Sequence, residues 1–297
     1  MKCILCNDSE SLEKYSYKGA NKADSKNFFE NNVKLYTCNS CQISFCHNIS
    51  RKKLDEYYKS VYTASKPIFD RFLEFNSRFF SQVLYYINHV KLEKNIKVLE
   101  VGPSALGILP SLKVFQDKIK YYYFDQVEIK HNVQDVIKLG EYFNPYTSKL
   151  PKVDLIWMSH SLEHIFPEDL IKVINKYHEA LNDGGKIFIE IPHDIKTGNF
   201  SVPHTLFFEK KGLIKLFEKL RFKVVAVSEI NDKVELLDSN PNMNKKKITK
   251  KNFVVTLYSF IQRFLPNKFV KKYAFKHFVL NGPYTNLPII RLIVQKI

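Results

Sequence analysis

Four of the five cysteines fall in two pairs, Cys3-Ile4-Leu5-Cys6 and Cys38-Asn39-Ser40-Cys41. Two C-x-x-C knuckles offer four thiolates, the soft tetrahedral set that zinc takes in closed structural sites. A closed site has no open coordination position, so such a metal would hold the fold and do no chemistry. The plain alternative is two unrelated reduced pairs; a redox dithiol fits less well, because neither pair leads into a thioredoxin-like helix. Cys46 and His47 are read as structural, since the paired ligands already close the site. A second group of residues suits a nucleotide-like ligand. In the stretch 96–107, I-K-V-L-E-V-G-P-S-A-L-G, Glu100 stands at the end of an apolar run and Gly102 follows, where a tight turn needs a residue without a Cβ. Asp125 ends the run Tyr121-Tyr122-Tyr123-Phe124, about 20 residues past that turn, placed to accept hydrogen bonds from ribose hydroxyls. Its alternative role is to cap the next helix. Asp135 is weighed as a partner for an adenine amino group.

Such groups act together only if a sheet sets them along one edge. Val98, Leu99 and Val101 suit a strand buried on both faces, Asp154-Leu155-Ile156-Trp157-Met158-Ser159 suits another, and 186–191 (K-I-F-I-E-I) a third, closed by Pro192. A helix is expected over about 167–181, ended by Asn182-Asp183-Gly184-Gly185 with a glycine in the left-handed cap. Another is expected over 209–220, with Leu213, Leu216, Phe217 and Leu220 on one face, before a strand at 222–229. Upstream, 53–61 and 67–91 read as helices, the second carrying an apolar stripe from Ile68 to Val90 that is read as core. Strands alternating with helices in this way predict an α/β, doubly wound sheet, with ligands at the carboxyl ends of its strands. From 231 to about 286 the pattern loosens into a lysine-rich loop and an aromatic, basic helical region, and 287–297 closes the sheet as a last strand. The division expected is a metal-binding module over 1–62 and a sheet domain over 63–297, with a helical insertion at about 231–286.

With 297 residues the chain can bury a full core. Its 45% hydrophobic and 26% charged residues are those of a globular protein. No run approaches the ~18 apolar residues of a membrane span, and the first ten residues lack an apolar signal region, so the cytoplasm is the expected location. The formal charge of +16 favours anionic partners: nucleic acid, phosphorylated metabolites or the inner membrane surface. The lysines are spread along the chain, which weighs against nucleic acid and toward compositional bias.

Together these motifs carry a resemblance. V-L-E-V-G-P at 98–103, the acid-ended strand at Asp125, D-L-I-W-M-S-H-S-L-E-H-I at 154–165, D-G-G at 183–185 and H-T-L-F-F-E at 204–209 resemble successive motifs of class I S-adenosylmethionine-dependent methyltransferases. The N-terminal part, with C-x-x-C, then Y-T-C-N-S-C-Q-I-S-F at 36–45 and L-D-E-Y-Y at 54–58, is similar to the zinc-binding leader of bacterial sugar C-methyltransferases. The resemblance implies a mostly parallel, seven-stranded Rossmann-like sheet, S-adenosyl-L-methionine as cofactor and structural Zn2+ on Cys3, Cys6, Cys38 and Cys41. It also implies an acceptor among nucleotide-linked sugars and other small polar molecules of surface-polysaccharide or secondary-metabolite synthesis. The chain departs from the family's G-x-G-x-G loop: Ser104 stands at the second glycine place and Gly107 is shifted by one. The Cβ of Ser104 narrows the approach to the cofactor, although its hydroxyl can donate a hydrogen bond.

What the resemblance implies for the site is a cofactor held by Glu100, Gly102, Ser104, Gly107, Asp125, Gln126, Asp135, Ser159 and His160. His164 is the first choice as base, with Glu163 orienting it or binding substrate; His193 and His204 are second choices, and Phe207 and Phe208 are read as pocket walls. The competing reading of Glu163 and His164 is a pair that caps the following helix. Two further functions are carried alongside: an RNA methyltransferase that holds the phosphate backbone through the zinc module, and a non-catalytic zinc-ribbon protein on a degenerate methyltransferase scaffold.

Overall fold

The computed structural model describes residues 1–9, 12–16, 33–59, 77–103, 108–125, 135–198, 200, 203–230 and 288–297. In chain order the elements are β1 (Leu12–Ser16), β2 (Lys34–Cys38), β3 (Ile43–His47), α1 (Arg51–Tyr57), α2 (Ser77–His89), β4 (Ile96–Val101), α3 (Ile108–Lys113), β5 (Ile119–Phe124), β6 (Val136–Gly140) and β7 (Val153–Ser159). They continue as α4 (Leu170–Ala180), β8 (Leu181–Pro192), α5 (Asp194–Thr197), β9 (Leu206–Phe208), α6 (Lys210–Lys219), β10 (Phe222–Ile230) and β11 (Ile289–Lys296), with short 3-10 turns at Leu162–His164 and Pro167–Asp169.

Seven strands form one sheet in the order β10-β11-β8-β7-β4-β5-β6. The β8-β7-β4-β5-β6 pairs are parallel, and β11 runs antiparallel between β8 and β10. This is the doubly wound sheet that the alternating pattern predicts, in the mostly parallel, seven-stranded Rossmann-like form that the resemblance implies. Its two faces alternate along each strand. On β4, Leu99 joins the core under α4 and α6, whereas Ile96 and Val98 join the core with Val83 and Tyr86 of α2 and Leu109 and Leu112 of α3. Trp157 of β7, fully buried, stacks on Phe188 of β8 with ring centroids 3.9 Å apart.

Two local expectations change. The helix over 167–181 ends at Ala180, and Asn182 to Gly185 belong to β8, which begins at Leu181 and shifts register against β7 between Val153 and Leu155. Gly184 does take a left-handed φ of 70°, but inside this strand irregularity and not as a helix cap. The lead-in helix is described only over α2, which ends at His89, and the early helix over α1; 60–61, 67–76 and the expected insertion at 231–286 lie outside the described residues.

The N-terminal module does not complete a sheet by itself. β1-β2-β3 is antiparallel, and β3 pairs with β9 through Ile43↔Phe208, Ser44↔Phe207 and Phe45↔Leu206. Cys3, Leu5, Ile43 and Phe45 share one buried cluster with the sheet residues beneath α4 and α6. The boundary expected at 62/63 is therefore crossed by both backbone pairing and core. Among the described residues no helix is long and apolar enough to cross a membrane.

Candidate functional site

The four paired cysteines converge. Cys3 and Cys6 sit at the turn before β1, Cys38 ends β2 and Cys41 lies in the β2–β3 turn, and their sulfurs all lie within 4.8 Å of one another. None is in a disulfide. A tetrahedral ion with metal–sulfur bonds of about 2.3 Å separates its sulfurs by about 3.8 Å, and Cys6 Sγ stands 3.7 Å from Cys38 Sγ. Leu5 N–H donates to Cys3 Sγ and Cys41 N–H to Cys38 Sγ, each at 3.4 Å; at Cys3 burial outweighs such donors and pushes the thiol up to about 11. The donor set and its spacing fit a soft divalent metal. Cys46 and His47 stand apart: Cys46 is buried, with its thiol toward the His204 carbonyl at 3.9 Å, and His47 is exposed.

Above the carboxyl ends of β4, β5, β6 and β7 lies a cavity of about 480 Å³, within the range of ~300–1,000 Å³ usual for small-molecule sites. β4 and β5 reach it through Gly102 and Asp125. Gly102 has φ 70°, and its N–H donates to Phe124 O at 2.9 Å, closing the turn. An added Cβ there would meet nothing nearer than Ser161 Cβ at 3.8 Å, so backbone conformation, not crowding, calls for glycine. Glu100 is 1% exposed, beneath the cavity floor, and accepts a hydrogen bond from the Tyr121 hydroxyl. Burial pushes its carboxyl well above the ordinary range, and the nearby Asp125 charge pushes the same way. Glu100 thus lies under the edge and is not among the residues that line the cavity.

Asp135 does not join them. It is exposed before β6, with its carbonyl accepting from Tyr121 N–H, at the level where β5 begins and not where it ends. The carboxylate that β6 carries to the carboxyl edge is Glu141, which lines the cavity. Ser104, Gly107 and Gln126 lie outside the described residues. Ser159, ending β7, accepts from Gln82 Nε2 at 2.8 Å. His160, with φ 53°, lines the cavity, and its N–H donates to Glu190 O at 2.8 Å.

The opposite wall follows β7. Glu163 is 1% exposed and among the described residues neither of its oxygens accepts a hydrogen bond; His160 Nδ1 stands 3.5 Å and His164 Nε2 3.9 Å from Oε1. Burial raises its pKa, partly offset by the His160 and His204 rings. Tyr58, just after α1, is 2.8 Å from His164 Nδ1, and the His164 and His204 rings meet edge to face at 4.9 Å. Burial alone would depress the His204 pKa, but its 2.6 Å bond to Asp194 Oδ2 and the Glu163 charge raise it overall. Thr205 fixes this arrangement: its N–H donates to Glu163 O at 2.8 Å and its hydroxyl to Ile165 O at 2.5 Å.

His193 is not at this wall. It is buried between Glu209 (Nε2 to Oε2, 3.2 Å) and Glu229 (Nδ1 to Oε1, 3.3 Å) and lies outside the cavity lining. Phe207 and Phe208 are likewise core residues, not pocket walls: Phe207 packs on Phe200 at 5.0 Å, and Phe208 belongs to the cluster under α6. Sequence reasoning missed Tyr58, Glu141 and Asp194; of these only Tyr58 had a local signal, as the last residue of L-D-E-Y-Y.

A buried ion network supports the floor. Glu190, fully buried in β8, takes Arg291 Nε at 2.7 Å, Arg78 Nη2 at 2.9 Å and Gln82 Nε2 at 2.6 Å. Burial opposes ionisation, but Arg291, His160 and Arg78 hold the Glu190 carboxyl far below the usual range. Gln82 also accepts from Trp157 Nε1 at 3.3 Å, so one side chain links α2, β7 and β8.

No protein-family model matches the chain, and no curated protein matches it. Among solved structures it is similar to phosphoethanolamine N-methyltransferase 2 of Haemonchus contortus in complex with S-adenosyl-L-methionine, with TM-score 0.50 and 12% identity over 85% of this chain and 61% of that one. It is also similar to the N-methyltransferase NodS from Bradyrhizobium japonicum WM9 in complex with S-adenosyl-L-homocysteine, with TM-score 0.49 and 10% identity over 80% of this chain and 97% of that one. A SAM-dependent methyltransferase from Archaeoglobus fulgidus gives TM-score 0.44 and 18% identity over 73% of this chain and 92% of that one. At these identities the likeness is one of fold.

Proposed function

We propose that the chain is an S-adenosylmethionine-dependent methyltransferase acting on a small polar acceptor, a sugar or a nucleotide-linked or phosphorylated sugar, with structural zinc on its four paired cysteines. The observation that carries the reading is the cavity at the carboxyl edge, with Gly102 and Asp125 on one side and His160 and His164 on the other, His164 standing beside Glu163 and His204. Asp125 would accept from ribose hydroxyls, and Glu141, after β6, would face the base in place of Asp135. When bound, the cofactor supplies an electrophilic methyl group on sulfur, so the protein's main task is to align an acceptor with it and exclude water.

An acceptor hydroxyl, or a carbon beside a carbonyl, must also lose a proton. His164 faces the cavity and is a quarter exposed. With its proton on Nδ1 it donates to the Tyr58 oxygen and keeps the Nε2 lone pair for that task. Asp55 and Tyr58 of the N-terminal part line the same cavity, a polar wall suited to a hydroxyl-rich acceptor. The test is calorimetric titration of the zinc-loaded full chain with S-adenosylhomocysteine. Binding is expected, weakened about 10- to 100-fold in Asp125→Ala by loss of charge-assisted hydrogen bonds. A folded protein that releases no heat would overturn the reading.

A further inference from the structure

The cluster Glu163, His164 and His204 has the make-up of a cation site. Ligand atoms of the three lie within 4.8 Å of one another. Both imidazoles have Nδ1 committed to an outer partner, His164 to the Tyr58 hydroxyl at 2.8 Å and His204 to Asp194 at 2.6 Å. The Asp194 carboxylate can only accept, which places the His204 proton on Nδ1, and the Tyr58 hydroxyl can accept the His164 Nδ1 proton in the same way, the outer-partner arrangement of metal-binding histidines. Between them stands Glu163, 1% exposed, whose two oxygens accept no hydrogen bond among the described residues, the nearest His160 nitrogen standing 3.5 Å away. A buried carboxylate in that state is costly unless a positive charge meets it.

From these observations we infer that Glu163, His164 and His204 bind a divalent first-row cation, at a second metal site distinct from the four cysteines. Two imidazoles and one carboxylate are a borderline donor set that suits zinc, iron(II) or manganese and leaves coordination positions open. An ion with bonds of about 2.1 Å holds tetrahedral ligand atoms about 3.4 Å apart, so the side chains need only draw together by an ångström or so. The open positions face the cavity, because His164 lines it. The purpose of the site rests on the cavity being an acceptor pocket: an acceptor hydroxyl bound to the ion becomes more acidic and loses its proton to solvent, so that His164 acts as ligand instead of base.

Cadmium, a zinc surrogate with a nuclear resonance sensitive to ligand type, tests this on the full chain. Two resonances are expected in the wild type, one in the all-thiolate range and one in the nitrogen and oxygen range. His204→Ala and Glu163→Gln should each lose only the second, the thiolate signal showing that the module still folds. A wild type with the thiolate resonance alone under excess cadmium, or a second resonance that survives both substitutions, overturns the inference. Titration with S-adenosylhomocysteine in the same samples reports the cofactor reading separately. Heat beside a lone thiolate signal overturns the cation site and leaves the methyltransferase standing; two signals without heat do the reverse.

Discussion

Replacing Gly212 by alanine sets two effects of opposite sign against each other. Gly212 lies in the first turn of α6, and alanine there gains about 1 kcal/mol of helix propensity. The new Cβ, however, would stand 2.8 Å from the Cys41 carbonyl oxygen and closer still to that of Gln42. Ordinary contact begins at 3.4 Å, so the β2–β3 turn must retreat by at least about 0.6 Å. That turn cannot give easily: Gln42 has φ 58°, its N–H donates to Cys38 O at 2.7 Å, and its own carbonyl accepts from Glu209 N–H. Overpacking of this kind costs about 1–3 kcal/mol, and backbone obstacles put it at the upper end. The net expectation is a loss of about 1–2 kcal/mol, or about 3–6 °C in Tm, with faster release of metal to a chromogenic chelator, since Cys38 and Cys41 flank the displaced carbonyls. Calorimetry on metal-loaded protein reads the first and stopped-flow absorbance the second. If Gly212→Ala melts at or above the wild-type temperature, helix propensity has won and the knuckle does not rest on α6 as described.

Two other perturbations separate the parts of the molecule. Glu190→Ala should cost about 3–5 kcal/mol in urea unfolding by leaving Arg291 buried without its partner, and Arg291→Met in the same chain should recover much of it; a single-variant loss below about 1 kcal/mol would refute the network. Because the Glu190 carboxyl is depressed in the folded state, its contribution is complete above the unfolded value near ~4.3 and is lost only as pH falls below that. A Glu190-dependent change in stability between pH 6 and 8, as approximate bounds, would contradict this sign. In protein loaded with metal at the four cysteines, removal of that metal by a chelator should raise amide exchange in β3 and, through Ile43↔Phe208 and Phe45↔Leu206, in β9, while β4 and β7 stay protected. Unchanged exchange over 206–208 would show that the two parts are not joined by that pairing.

What could be read from residue types alone was local. Val98 to Gly102 announces a buried strand and a left-handed turn, and the cysteine pairs announce their own cluster, because each pattern is complete within a few neighbours. Asp135 failed for the opposite reason. β6, V-I-K-L-G, is a half-exposed edge strand without a strong apolar run, so a carboxylate counted along the chain fell before it, and Glu141, just after it, was passed over. The strand β9 has only three residues, and its partner lies more than 150 positions earlier, so nothing near it signals a strand at all. His193 and His204 looked alike as histidines downstream of the strand at 186–191; only the pairing of β9 and the Thr205 bonds bring one to Glu163, while carboxylates at the start of α6 and on β10 claim the other.

The antiparallel strand β11 has a bearing on how the chain is made. It sits between β8 and β10 and is the last of the seven to leave the ribosome. Until it does, β8 and β10 each present an unpaired apolar edge on the nascent polypeptide, and the strand that must seal both is nearly 100 positions beyond β8. Synthesis that stalls anywhere over 231–288 would leave a template for intermolecular pairing, which makes this interval the one in which chaperone capture matters most.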